Sequence, residues 1–120
     1  MESAKFRAWS IKEKRMIKWR ELQFHNLRNV LNKPEKCGLK LMQYTGKRDN
    51  RQDEIYTGDI FEIDEGLSGQ VYAIEWEFGG FQVFMYSDKF KRLSEFYINE
   101  IDTSCVRIIG NIYENPELVS

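Results

Sequence analysis

The sequence predicts a mostly β protein with short helices, arranged as an N-terminal β-hairpin segment and a small barrel or roll. Three observations support this prediction. Several segments alternate apolar and polar residues with a period of two, which is typical of strands. Aromatic residues make up 14% of the 120 residues and are concentrated in those segments. Short turn sequences separate the segments, as in small all-β domains.

The N-terminal part predicts a basic hairpin. Lys5–Ile11 alternates as a strand, "KEK" forms a charged turn, and Arg15–Trp19 provides the return strand. Glu21–Asn32 is ambiguous: Phe24, Leu27 and Leu31 fit one helical face, but "ELQF" could also extend the preceding strand. A loop over residues 32–38 is the best boundary, which gives an N-terminal segment, 1–38, and a barrel domain, 39–120.

The barrel domain begins with a predicted strand at Leu39–Tyr44, followed by an exposed, charged loop at Thr45–Glu54. Gly58 and Asp59 mark a bend before a short strand at Ile60–Ile63.

Gln70–Glu77 alternates cleanly, with Tyr72, Ile74 and Trp76 on one face. Gly79-Gly80 is expected to form a two-residue hairpin loop leading to Phe81–Tyr86, a strand that is apolar on both faces. A short helix is expected within residues 88–101, capped by Ser87 or Asp88, with Phe90, Leu93, Tyr97 and Ile101 on its inner stripe. Cys105–Tyr113 then supplies the last strand.

Charge is divided unequally along the chain. Residues 1–52 contain 14 Lys and Arg against 5 Asp and Glu, whereas residues 53–120 contain 4 against 14. The net charges are therefore +9 and −10, and they allow two interpretations. The two halves attract each other, either within one chain or between copies, or the basic half provides a surface for nucleic acid. No apolar run reaches the length of a membrane span and no secretory signal is visible, so we expect no membrane association and a cytoplasmic protein.

A candidate interaction surface lies on the basic hairpin. Its residues are Arg7, Trp9, Lys12, Lys14, Arg15, Lys18, Trp19 and Arg20. Cations interleaved with aromatic residues can follow a phosphate backbone and stack on single-stranded bases. Alternatively, the cations form a solvated face while Trp9 and Trp19 pack on the second half of the chain.

Residue types with catalytic potential are few. His25 is the only histidine, which excludes any multi-histidine metal site, and a pair of Cys37 with His25 lacks a third orienting group. Cys37 and Cys105 are expected to be reduced thiols. Asp59 is expected to bond nearby backbone N–H groups rather than to act with Glu62 as a catalytic pair. We therefore expect no enzyme activity, no metal and no cofactor.

The string "IIGNIYENPEL" ends the predicted last strand. Gly110 would allow a bend or a close approach, Asn111 and Asn115 would form local turns, and Pro116 would end further pairing. The tail is expected to tuck Tyr113 and Leu118 against a protein body, the alternative being an exposed docking peptide.

Four stretches of this sequence resemble the YopX family of phage and prophage proteins: "KFRAW", "LMQYTG", "EIYTGDI" and "VRIIGNIYENPEL". The last is the most specific. The loop after Gly46 keeps Asp49 but lacks the glycine of the Asn-Gly turn that is common in the family, and Glu21–Lys40 has no counterpart.

The resemblance implies a small SH3-like barrel after an N-terminal β segment, a phage or prophage origin, and homo-oligomers. It offers no catalytic residues. The positions that carry it, expected to be structural, are Gln43, Thr45, Gly46, Asp49, Tyr56, Gly58, Asp59, Gly110, Asn111, Tyr113, Glu114, Asn115 and Pro116. The expected function is a non-catalytic module that binds a phage or host protein or a second copy of itself, the alternative being nucleic-acid binding.

Overall fold

The computed structural model describes residues 5–24, 38–63, 71–77, 80–86, 93–98 and 102–119. The chain divides into two compact units, Met1–Tyr44 and Thr45–Ser120. The sequence placed this division six residues earlier, at the end of the loop before Leu39. Strand β3, Leu39–Arg48, contains the point of division.

The first unit is a small antiparallel sheet with one helical turn. Strand β1, Phe6–Ser10, lies between β2, Arg15–Ile17, and the beginning of β3. Helix α1, Trp19–Leu22, follows β2 directly. A core forms because Leu22 on this turn joins buried residues from all three strands, namely Ala8, Ile17 and Leu39.

The predicted hairpin is therefore present, with two differences. The return strand ends at Ile17 rather than at Trp19, and Glu21 and Leu22 are helical, which excludes the extension of the strand. The helical turn forms because the amide of Leu22 bonds the carbonyl of Lys18, and Leu22 is thereby turned into the core. The predicted helix beyond Phe24 lies outside the described residues.

The second unit contains a five-stranded antiparallel sheet with the order β8-β7-β6-β5-β9. These strands are β5, Asp59–Ile63, β6, Val71–Glu77, β7, Gly80–Tyr86, β8, Leu93–Tyr97, and β9, Val106–Asn111. The end of β3 lies beside β4, Glu54–Tyr56. Short 3₁₀ helices occur at Thr103–Cys105 and Pro116–Val119. The predicted mostly β class is confirmed.

The core of this unit comes from strand positions that alternate along the chain. Tyr72 and Ile74 of β6 are buried with Val83 and Met85 of β7, and Phe61 of β5 stacks on Tyr72 at 5.6 Å between ring centroids. Ala73 and Phe84, on the opposite face, are buried as well. Both faces of the central strands are therefore covered, as the two-sided apolar pattern of β7 predicted.

The predicted helix within residues 88–101 is wrong where the structure describes that segment. Leu93–Tyr97 is a strand that pairs antiparallel with β7, from Met85↔Leu93 to Gln82↔Tyr97, with a register shift after Val83. A spacing of four residues, as between Leu93 and Tyr97, fits a helical face and one face of a strand equally well. Pairing with the free edge of β7 then outweighs local helix propensity.

Two further boundaries differ from the prediction. Gly80 belongs to β7 and pairs with Glu77, so Gly80 is not part of the hairpin loop, contrary to the prediction of a Gly79-Gly80 loop. Thr45–Arg48 extends β3 instead of opening the charged loop. The hydroxyl of Thr45 donates to the carbonyl of Ile55 at 2.8 Å, and this contact with β4 supports the polar end of the strand.

Candidate functional site

The turn of the N-terminal hairpin is fixed by Ser10. Its side-chain oxygen accepts from the amide of Glu13 at 3.0 Å, and its carbonyl accepts from the amide of Lys14 at 2.8 Å. This tight turn leaves Lys12 and Lys14 exposed. Lys18 and Arg20, at the other end of β2, are also exposed. Within the described parts of the chain, none of these four cations has a carboxylate partner.

Arg15, also predicted for this surface, is neutralised locally. Its guanidinium bonds Glu21 at 2.6 and 3.0 Å and Glu13 at 2.7 Å. The hydrogen bonds that Arg15 donates to these two carboxylates, first Glu21 and then Glu13, raise the pKa of Arg15 further above its ordinary value. Arg15 therefore braces β2 against α1 and contributes less to the free positive charge than the sequence indicated.

The aromatic members of the predicted surface are half-buried. Trp19 packs against the core of the first unit, with its ring 6.1 Å from that of Phe6. Trp9 and Arg7, on β1, are also half-buried. Trp19 therefore packs on the core of the first unit, whereas the packing predicted for it was on the second half of the chain, and the two half-buried tryptophans do not form an open stacking platform.

One apolar side chain in this region is exposed to an unusual degree. Phe24 is 88% exposed. With Met16, Lys18, Arg20 and Glu21 it lines an open depression of about 490 Å³, called here the basic depression. The sequence left Phe24 open between one face of a helix and an extension of the preceding strand, and its pattern contained no sign that α1 would end at Leu22 and leave this ring in solvent.

Asp49, a family-signature position in the second unit, lies at the centre of a hydrogen-bond network. This carboxylate is 1% exposed and accepts from the backbone amides of Arg51 and Asp53, each at 2.9 Å, and of Ile108 at 3.1 Å. Arg51 also donates to the carbonyl of Ile108 at 2.5 Å. Burial raises the pKa of Asp49, but the N–H donors of Ile108, Asp53 and Arg51 and the Arg51 charge outweigh it and lower the pKa overall. Asp49 therefore joins its loop to β9.

Asp59 makes the local bond that the sequence predicted. It is buried and accepts from the amide of Tyr56 at 2.7 Å across the turn that contains Gly58. Gly58 has a φ of +89°, its amide donates to Ile74, and its carbonyl accepts from Ile112. This turn therefore connects β6 to the residues that follow β9.

The residues of the terminal signature form hydrogen bonds with one another. Asn111 accepts from the amides of Tyr113 and Glu114 at 3.0 and 2.9 Å, and Asn115 accepts from the amide of Asn111 at 3.2 Å. A Cβ atom added at Gly110 would lie 2.8 Å from the side-chain amide carbon of Asn115. The Asn115 side chain therefore occupies the space that a side chain at position 110 would need. Pro116 begins a 3₁₀ helix, as expected of a residue that ends pairing.

The C-terminal tail packs against the protein only in part, where the prediction had Tyr113 and Leu118 packed against it. Tyr113 and Leu118 are half-buried, and burial, with the nearby charge of Glu75, raises the pKa of Tyr113. Of the remaining signature residues, Gln43 pairs with Phe6, and Gly46 lies exposed with a φ of +86°.

The structure gives no support to a carboxylate pair at Asp59 and Glu62. Asp59 is bonded to backbone, and Glu62 forms an ion pair with Arg107. Cys105 is a free, half-buried thiol, while His25 and Cys37 lie outside the described residues. Across the segments that the structure describes, no cluster of three metal-ligating side chains occurs, and no helix has the length and apolar character to cross a membrane.

Comparison with known proteins identifies the family. Among curated proteins, none matches this chain. A crystal structure of protein EF1440 from Enterococcus faecalis is similar over 100% of both chains, with a TM-score of 0.63 and 22% sequence identity, which shows a shared fold. The family described as YopX protein matches residues 5–120. The chain therefore belongs to the YopX family.

Proposed function

We propose that this YopX-family chain is a non-catalytic protein-interaction module that binds an acidic protein surface through the basic depression. The observation that carries the proposal is Phe24, which is 88% exposed and lines the same depression as Lys18 and Arg20. Binding a protein would remove this ring from water and would give both cations a carboxylate to face.

An aromatic ring among cations suits a protein partner. Interface energy is concentrated in a few buried anchors, commonly aromatic or arginine side chains, while charges at the rim set association rate and partner choice. Phe24 would supply the anchor, and Lys18 and Arg20 the charge. Glu21, in the same depression, is already paired with Arg15, so the free charges there are those of Lys18 and Arg20.

The contacts of the second unit support a non-catalytic role. The carboxylates of Asp49 and Asp59 are buried and bonded to backbone amides, and the side-chain oxygens of Asn111 and Asn115 bond backbone amides too. Such groups hold loops to strands and are not directed at a substrate. The resemblance adds a phage or prophage origin, and with it the cytoplasm of a bacterial host as the place of action. The partner is a phage protein, a host protein or a second copy of the chain.

A capture experiment tests this function. Immobilised wild-type protein is compared with the variant Lys18→Glu/Arg20→Glu/Phe24→Ser in bacterial lysate, before and after phage induction. Each captured protein is identified, purified and titrated. We expect about 30-fold weaker binding to the triple variant, the size of effect of losing a dominant interface residue.

The matched control is Lys12→Glu/Lys40→Glu. Both lysines are exposed on the first unit and lie outside the lining of the basic depression, and their reversal changes net charge as much as that of Lys18 and Arg20. The control should retain binding. The proposal is wrong if no protein, including this chain itself, distinguishes wild type from the triple variant.

Nucleic-acid binding is the second candidate, favoured by one observation. Lys12, Lys14, Lys18 and Arg20 are all exposed, without a carboxylate partner in the described segments. Salt titration of binding to single- and double-stranded DNA and RNA decides it, because phosphate contacts make affinity fall steeply with salt. Absence of binding at low salt rejects this candidate and leaves the protein-binding proposal in place.

A further inference from the structure

We infer that the partner enters the basic depression as an extended, acidic segment that pairs with the free edge of β2 and adds a strand to the first sheet. The inference rests on the proposed function and adds to it the chemical class of the bound segment and the way it binds. Three observations carry it: the direction of the backbone groups of Met16, the position of the depression beside β2, and the positive charges at this edge.

The hydrogen bonds of the hairpin show which residues of β1 face β2. In an antiparallel ladder, the N–H and C=O groups of successive residues point to opposite sides of the strand. Ile11, just after β1, bonds the β3 side, because its amide donates to the carbonyl of Gly38 at 3.0 Å. Ser10 therefore faces β2, and its carbonyl accepts from the amide of Lys14 at 2.8 Å.

The backbone of Met16 faces the opposite way. Arg15 pairs with Ser10 and Ile17 pairs with Ala8, so Arg15 and Ile17 direct their backbone groups towards β1. Met16, between them, directs its N–H and C=O towards the open side, because β2 is the end strand of the sheet. Within the described segments, no residue bonds these two groups. β2 therefore offers a donor and an acceptor to an added strand.

The basic depression lies beside this edge strand. Met16 lines it from β2, while Glu21 and Phe24 line it from α1 and the residues that follow. The bond of Arg15 to Glu21 holds α1 next to β2. A segment that pairs with Met16 would therefore run along the depression and cover the exposed ring of Phe24.

The charges at this edge select an acidic segment. Lys14 and Lys18 flank β2 and are exposed. Lysines at a strand edge hinder pairing with basic or apolar strands, but they attract an acidic one. In strand addition, main-chain bonds give affinity and alternate side chains give specificity. The bound segment should thus place acidic residues near Lys18 and Arg20 and an apolar residue against Phe24.

The outer edge of β9 shows how this fold covers an edge. The amide of Asn50 donates to the carbonyl of Val106 at 2.8 Å. The Asp49 carboxylate accepts from the amide of Ile108 at 3.1 Å, and Arg51 donates to the carbonyl of Ile108 at 2.5 Å. A loop thus supplies the bonds that a neighbouring strand would make. No equivalent loop bonds Met16 in the described part of the chain, so this edge is open to a strand.

Selection of short random peptides tests the class of segment. Displayed peptides are enriched on wild type and depleted on Lys18→Glu/Arg20→Glu/Phe24→Ser. Enriched sequences should be acidic and rich in β-branched residues, which favour extended backbone. Enrichment of helix-forming sequences or of peptides without acidic residues would overturn the inference, as would the absence of any enriched peptide.

Met16→Pro and Met16→Val then test the pairing itself. Proline removes the N–H of residue 16 and is tolerated in an edge strand where this group faces away from the sheet, whereas valine keeps the N–H. An enriched peptide, synthesised and titrated, should bind Met16→Pro about 10-fold more weakly than wild type, because the pairing loses a hydrogen bond. It should bind Met16→Val nearly as tightly as wild type. Circular dichroism establishes that both variants are folded.

Hydrogen exchange of the wild type gives a reading that needs no variant. With the peptide bound, the amide of Met16 should exchange about 10-fold more slowly by NMR. The same peptide with N-methylated backbone amides keeps its side chains and should bind much more weakly. Equal binding to Met16→Pro and Met16→Val, or unchanged exchange at Met16, contradicts strand pairing.

The outcomes separate this inference from the proposed function. If strand pairing fails but a captured protein still distinguishes wild type from Lys18→Glu/Arg20→Glu/Phe24→Ser, the proposed function stands and only the mode of binding is wrong. If neither a protein nor a peptide distinguishes them, both are wrong.

Discussion

Asp49 shows how one side chain can hold a loop to a strand. An ionised carboxylate removed from water is costly unless hydrogen bonds compensate it, and here three backbone amides do so. Two donors belong to its own loop and the third is Ile108 on β9. The carboxylate therefore closes the loop and attaches it to the sheet at the same time.

We predict that Asp49→Ala lowers the free energy of unfolding of the second unit by about 3 kcal/mol, because the three amides lose their acceptor. Urea denaturation at pH 7 measures the change. Asp102→Ala is the control: Asp102 also accepts from a backbone amide, that of Ser104, but it is exposed, so its loss should cost much less. Equal losses in the two variants would contradict this account.

The same site predicts a pH dependence. The pKa of Asp49 in the folded chain lies below its ordinary value of 3.8, so the ionised form stabilises the fold. This stabilisation is complete above about pH 4 and disappears as the pH falls through the folded pKa. The stability difference between wild type and Asp49→Asn should therefore be largest near neutral pH and shrink towards pH 3. A difference that stays constant over that range would show that the charge of Asp49 is unimportant.

Gly110 and Asn115 form a pair at the end of β9. We predict that Gly110→Ala costs about 2 kcal/mol, because the new methyl group meets an Asn115 side chain held by its bond to Asn111. In an Asn115→Ala background the same substitution should cost clearly less. A double-mutant cycle by urea denaturation measures this coupling. A cost for Gly110→Ala that is independent of residue 115 would mean that the backbone, and not the side chain, requires glycine.

At the scale of secondary-structure elements, β8 shows most clearly how a tertiary contact decides between a helix and a strand. Its apolar spacing fits a helix or a strand, and its neighbours along the chain do not decide between them. The unpaired edge of β7 decides for the strand, because this edge carries a row of backbone donors and acceptors that a strand can satisfy and a helix cannot.

We predict that amide protection within Leu93–Tyr97 alternates along the chain in hydrogen exchange measured by NMR. An edge strand bonds a neighbour on one side only, so every second amide faces β7 and the others face away. Ile74, on the central strand β6, provides the comparison and should exchange much more slowly. Four consecutive protected amides in β8 would indicate a helix and contradict the strand.

At the scale of the whole molecule, the residues that the structure describes form two hydrophobic cores, one within each unit. Ile17 belongs to the cluster of the first unit and Ile74 to that of the second, and each is almost fully buried. A division into units with their own cores makes the stability of each unit depend on its own apolar contacts.

We predict that Ile17→Ala and Ile74→Ala each cost about 3 kcal/mol, the usual range for a buried large-to-small change. Hydrogen exchange followed by mass spectrometry should show the loss in the unit that carries the substitution. In the double variant the two losses should add within about 0.5 kcal/mol. A loss of protection that spreads equally over both units after either single change would show one cooperative core.

Local patterns in the sequence were sufficient to predict much of this fold. Alternation identified β1 and β6, and a run that is apolar on both faces identified β7, because burial against a core restricts the residue types along a strand. The bond of Asp59 to a turn amide and the turns at Asn111 and Asn115 were also predictable, since these interactions span only a few residues.

Contacts distant in sequence were not predictable. The pairing of Asp49 with Ile108 joins residues 59 apart, β8 depends on the edge of β7, and the exposure of Phe24 depends on where α1 ends. The amino-acid sequence by itself determined the mostly β class, the local turns and the division of charge, because these follow from neighbours along the chain. Only the tertiary structure decided which carboxylates are buried, which segment completes the sheet and which aromatic rings remain in water. Those outcomes depend on the partners that distant segments provide.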